Sequence, residues 1–251
     1  MAGASAWPNQ AVAAEATWFF LPRLGDADDA ARDAGRILEW LSAADGGHVV
    51  AHSYGANAAV LAAQQEPSLV RSLALLEPAV FDLARGMPAV EEHITQMTPV
   101  FAVADDSSVS AREFSRRFAA GMGTEPPDVP DQELEARVRR LRALQPPWGM
   151  GLAPDGRLPA TTMVITGGWS SLYEETAARL VELGARHVTF DGAGHRVQDD
   201  PRADGVLRDH WRATTSSCNR PHGTLNDDAR ISHSGIRPHE RSELKSSHHP
   251  P

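Results

Sequence analysis

Residues 47–58, GHVVAHSYGANA, present a serine in a setting that suits nucleophilic chemistry. A short apolar run climbs to Ser53, Gly55 follows two places later, and an alanine-rich run continues beyond it. This is the pattern of a sharp strand-to-helix turn, in which small flanking residues permit the tight bend and the serine hydroxyl is lifted clear of the sheet edge. A serine so placed becomes a nucleophile only with a base, an acid to orient that base, and hydrogen-bond donors for an oxyanion. Far along the chain, Asp191-Gly192-Ala193-Gly194-His195 puts a histidine in a turn after an apolar run. Taken singly, each feature also has a structural reading: Ser-x-Gly after an apolar run occurs without chemistry, and a turn histidine can simply face solvent.

The elements that must position these residues follow from periodicity and punctuation. Residues 7–16 read as a short helix and 17–21 as a buried strand, stopped by Pro22 and Gly25. Asp26 suits an N-cap, with Asp28 and Asp29 at the helix's positive end. Ala30, Ala34, Ile37, Leu38 and Leu41 recur at helical spacing, so that helix lays one face on a sheet. The serine turn comes next, its helix running to about Gln65 and closing near Pro67, and 70–76 is another strand, ending in Glu77-Pro78. Alternating strands and helices predict a parallel sheet with helices on its faces. Between 79 and 159 the rhythm changes to three amphipathic helices, near 88–104, 110–122 and 131–145, separated by Pro126-Pro127, Pro130 and Pro146-Pro147. This stretch reads as a helical insertion. Strand 161–166, helix 173–183 and strand 187–190 then restore the alternation, and a last helix reaches Trp211. The expected organisation is an α/β core of 1–78 and 160–211, a helical cap of 79–159, and a tail of 212–251. That tail has no aromatic residue and few aliphatic ones, too little to offset its ordering entropy, and is expected to be disordered.

Composition narrows the function classes. The chain has 251 residues, 41% of them hydrophobic and 23% charged, as in a globular protein of one large or two small domains. A net charge of −9 argues against a general nucleic-acid or membrane-surface role. No apolar run approaches the roughly 20 residues that span a bilayer. The first residues carry no basic segment and no sustained apolar stretch, so no signal peptide is expected. The single cysteine, Cys218, excludes an internal disulfide and fits a reducing compartment, which makes the cytoplasm the expected location. His222, His233, His239, His248 and His249 are too irregularly spaced to define a metal site, and there is no phosphate-binding glycine loop. Neither a cofactor nor a metal is expected.

Serine turn, helical insertion, strand ending in Gly167-Gly168, and strand followed by Gly-Ala-Gly-His come in an order that resembles the α/β-hydrolase fold with a cap, over about residues 7–211. The resemblance implies Ser53 as nucleophile, His195 as general base and the backbone N–H of Tyr54 as an oxyanion donor. Ala51 departs from the glycine usual in the serine motif. The acid is open: most members carry an aspartate after the strand at 161–166, where this chain has Ser170, which cannot stabilise an imidazolium as a carboxylate does. Some branches place the acid after the strand that follows the nucleophile helix, where Glu77 stands; the alternative is that Glu77 merely ends its strand. Asp82, Glu174 and Glu175 are weaker candidates. Trp169 and Trp148 are candidate pocket residues; Trp148, after Pro146-Pro147, also reads as a cap hinge contact, with core packing the competing role. His52 reads as packed beneath the turn.

Family members normally supply further strands and a His-Gly oxyanion loop before the segment seen here. The expectation is therefore a chain lacking those N-terminal strands and one oxyanion donor, a loss of about 100- to 1000-fold in turnover. Two functions follow. The first is a serine hydrolase acting on a small to medium apolar carboxylic ester, without cofactor, its partner a small-molecule substrate and its oligomeric state undetermined. The second is a truncated or non-catalytic hydrolase-like protein.

Overall fold

A computed structural model describes residues 3–12, 17–21, 30–159 and 161–218. The expected caps at residues 26–29, the end of the first helix, and the tail histidines fall outside the described residues. Among the described residues, four strands form one parallel sheet in the order β1 (Gly47–His52), β2 (Val70–Leu76), β3 (Thr162–Thr166), β4 (Arg186–Thr189). β2 and β3 are central, and their apolar sequences follow from burial on both faces. Alternate side chains of β2 enter different cores: Leu73 and Leu75 on one face, Ala74 and Leu76 on the other. The first face is covered by α1 (Ala30–Ala43), α2 (Ala56–Gln65) and α6 (Ser171–Glu182), through residues such as Ala34, Val60 and Leu180. The second is covered by α7 (Ala203–Cys218) through Ala203 and Leu207, with Phe190 and Val197 from the loop between β4 and α7.

α3 (Pro88–Phe101), α4 (Ala111–Gly121) and α5 (Asp131–Arg142) build a core of their own from Met97, Val100, Phe114, Leu134 and Val138. Ser110 caps α4 by accepting the Glu113 N–H. The Glu175 carboxylate, on α6, accepts the N–H groups of Ala89 and Val90 in the first turn of α3, favourable both as hydrogen bonds and as charge at a helix N-terminus. Asp82 accepts N–H groups from Gly149, Met150, Gly151 and Leu152, so the chain entering the three-helix segment is strapped to the chain leaving it.

Three expectations need correction. Residues 3–12 form two 3₁₀ turns, Gly3–Ala6 and Gln10–Val12, not one helix. Pro8 steers Trp7 away from helical backbone angles, and Gln10 instead bonds the Gln198 carbonyl and the Asp204 carboxylate. Residues 17–21 are not a strand: among the described residues, β1 pairs only with β2. The segment keeps the alternation of an extended chain, Trp18 against Trp211 of α7 and Phe19 against Trp40 of α1, without joining the hydrogen-bonded ladder. The last helix continues to Cys218, past the expected end at Trp211.

Candidate active site

β1 delivers the chain to Ser53 at the carboxyl edge of the sheet. Ser53 has φ of 53°, the left-handed region that costs a non-glycine residue of order 1–3 kcal/mol and persists only where the surroundings enforce it. The enforcement is visible. The Ser53 carbonyl accepts the Ala79 N–H, and the buried Asn57 side chain donates to the carbonyls of both Tyr54 and Ala79. After a 3₁₀ turn over Ser53–Gly55, α2 begins, its residues 56–63 all buried. The expected need for a small residue at 55 is not met by the structure: a Cβ there would touch nothing within 4 Å and the backbone is helical. The demand for small side chains falls instead on Ala56 and Ala59, which are fully buried.

Glu77 follows β2 directly and also has a left-handed backbone, φ 44°. Its N–H extends the ladder to the Ile165 carbonyl, while its carboxylate is fully buried. One carboxylate oxygen accepts the Gly167 N–H at 2.6 Å. The other accepts the Trp169 indole N–H at 3.0 Å and faces His195 Nδ1 at 3.3 Å. His195 Nε2 stands 3.1 Å from Ser53 Oγ. With Nδ1–H turned to the carboxylate, Nε2 is left as an acceptor for the Ser53 hydroxyl proton, the arrangement of a serine, a base and an orienting acid. Gly167 is required for this closeness, since a Cβ there would lie 2.3 Å from the Gly194 carbonyl oxygen in the histidine loop.

The competing carboxylates are engaged elsewhere. Asp82 holds residues 149–152, Glu175 caps α3, and Glu174 lies 3.8 Å from His187. Ser170 precedes α6, its carbonyl accepting the Tyr173 and Glu174 N–H groups. Trp169 is 48% exposed, with its ring 6.1 Å from that of His195, so it stands at the mouth of the arrangement. Trp148 does not join it: its ring contacts are Phe101 at 5.4 Å and His93 at 6.4 Å, inside the three-helix segment. It is half-buried there, packed among apolar residues such as Phe101 and Phe81. The N–H of Tyr54 follows Ser53 at the start of the turn into α2.

Sequence reasoning missed Tyr173. It lies in the first turn of α6, is 3% exposed, and packs its ring 5.0 Å from His195 and 5.8 Å from Trp169. Burial, followed by the charge of Glu77, pushes its phenol well above the ordinary range, so the group keeps its proton. Its helical spacing with Thr176, Ala177 and Leu180 marks it in the sequence only as a core residue. Among the described residues, no group of three or more His, Cys, Asp or Glu side chains could hold a metal ion, and no helix is long and apolar enough to cross a membrane.

The comparisons with known proteins agree with this architecture. No curated protein matches the chain. Among solved structures, a carboxylesterase structure from the thaumarchaeon Nitrososphaera gargenis is similar at 11% identity with a TM-score of 0.50, over 86% of this chain and 88% of that one. NosK from Streptomyces actuosus shows 18% identity and a TM-score of 0.49, over 85% and 94%. MenH from S. aureus shows 13% identity and a TM-score of 0.46, over 74% and 76%. Residues 3–206 match the alpha/beta hydrolase family, which takes in the sheet, the three-helix segment, Ser53, Glu77 and His195. The chain belongs to the alpha/beta hydrolase family.

Proposed function

We propose that this protein is a serine hydrolase that cleaves a small to medium, apolar carboxylic ester through an acyl-enzyme. The observation that carries the reading is the unbroken chain from Ser53 Oγ through His195 to the buried Glu77 carboxylate. Ser53 attacks the ester carbonyl carbon while His195 Nε2 takes its proton, and the Tyr54 N–H stabilises the oxyanion. Glu77 stabilises the imidazolium, which then gives its proton to the departing alcohol. Water, deprotonated by His195, attacks the acyl group, and the carboxylic acid leaves as Ser53 regains its proton. Trp169 and the helical cap of 79–159 supply apolar surface for the substrate, and the Trp169 ring beside His195 supports that assignment. The reading requires no cofactor and has a small molecule as substrate; the single cysteine supports a reducing compartment such as the cytoplasm.

Hydrolysis of p-nitrophenyl acetate by the parent and by Ser53→Ala tests it. The expected result is a fall of at least ~1000-fold in the variant, with fluorophosphonate labelling of the parent at Ser53 and none in S53A. Equal rates in the two proteins, or a folded parent that does not label, would overturn the reading in favour of a hydrolase-fold protein with little or no turnover.

A further inference from the structure

His52 joins the two halves of the site through a bond that the proposed chemistry does not use. It is the last residue of β1 and the immediate neighbour of Ser53, and its Nε2 lies 2.8 Å from the backbone carbonyl oxygen of His195. The two imidazole rings are 4.7 Å apart, and the Trp7 ring lies nearly perpendicular to that of His52 with centroids 6.5 Å apart. A carbonyl oxygen only accepts, so the short contact requires the proton on Nε2. We infer that His52 is a positioning residue, whose Nε2–H fixes the backbone of the base relative to the backbone of the nucleophile and so sets the Ser53–His195 distance. The inference rests on Ser53 and His195 acting as proposed.

The surroundings suit that task. Burial, then the neighbouring His195 ring, lowers His52 to about 4 against the raising effect of its own bond to the His195 carbonyl, with Arg196 lowering it further and Asp199 opposing, so the ring is neutral and carries one proton near neutral pH. Farther along the same loop, Gln198 is held through its carbonyl by Gln10, and Arg196 pairs with Asp199. Those bonds fasten the loop downstream of the base, whereas the His52 bond acts at residue 195 itself. Slack of about 1 Å between nucleophile and base is enough to lower turnover by roughly 100-fold.

The test compares His52→Leu with His52→Gln in the full chain, on p-nitrophenyl acetate. Leu removes the donor, and Gln restores an N–H at similar reach. H52L is expected to lose about 10- to 100-fold in kcat with KM within about twofold, and its fluorophosphonate labelling should slow in step. H52Q is expected within about fivefold of the parent. Parent-like kcat in H52L, or H52Q as slow as H52L at equal Tm, would overturn the inference. Imidazole 15N shifts of the parent give a readout that needs no variant: His52 should hold the Nε2–H tautomer between pH 6 and 8, and an Nδ1–H tautomer would overturn the inference even if H52L failed to fold. S53A separates the two ideas, because S53A as active as the parent removes the serine reading, while unchanged kcat in H52L beside an inactive S53A removes only the role of His52.

Discussion

Glu77 and Asp82 leave the same end of β2, and both carboxylates are wrapped in N–H donors, yet they serve different regions. Glu77 is fully buried, receives one backbone and one indole N–H, and keeps one direction open to His195. Asp82 is spent on the backbone of residues 149–152 and holds the exit of the three-helix segment. A carboxylate becomes available for catalysis when its backbone partners leave a lone pair aimed at a titratable ring. It becomes a strap when a loop of successive N–H groups uses them all. The difference is set by what β3 and the chain after α5 bring to each side chain, not by the residue type.

The sharpest way to break this contrast is to neutralise each carboxylate in turn. Glu77→Gln should lower kcat by about 1000- to 10,000-fold with the fold retained, because the amide cannot stabilise an imidazolium. A kcat within tenfold of the parent, measured with p-nitrophenyl acetate, would return Glu77 to a strand-ending role. A pH-dependent loss of stability comes next, and on the sheet side it runs through His52. His52 titrates near 6.5 when unfolded and at about 4 when folded, so between these values the unfolded chain binds the extra proton. Stability contributed by neutral His52 is complete above about pH 6.5 and is lost as pH falls towards 4, by a total of about 3 kcal/mol. Urea midpoints from pH 7 to 4 should show this slope in the parent and a shallower one in H52Q; parallel slopes would remove it. The smallest effect is expected for Asp82→Ala, which should cost about 1–3 kcal/mol in stability through the orphaned N–H groups while changing kcat less than about fivefold. Loss of turnover in D82A comparable to E77Q, at unchanged Tm, would erase the distinction between the two carboxylates.

Much of the fold is legible locally. The apolar run of β2, the alanine-rich helix after Ser53 and the amphipathic periods of α3 to α5 each specify an element from neighbouring residues, because burial period and turn chemistry are local properties. Residues 17–21 show the limit. Their aromatic and apolar run suits a strand, but a strand exists only when another backbone lies alongside, and here Trp18 packs half-buried on Trp211 of α7 while the exposed Phe19 meets the exposed Trp40 of α1, and neither enters the ladder. Trp148 shows it again: a tryptophan after a double proline says nothing about which apolar surface will receive it.

The sequence by itself determined the parallel α/β alternation, the sharp serine turn and the turn histidine, since each depends on residues close together in the chain. Tertiary structure decided which carboxylate meets His195. Glu77 and His195 are distant in sequence and come within 3.3 Å only because β2 and β3 lie side by side in register and Gly167 lets the histidine loop close over them. It also decided that His52 holds the His195 backbone and that Tyr173 packs on its ring. These are contacts between elements, and no local pattern of residues encodes their distance.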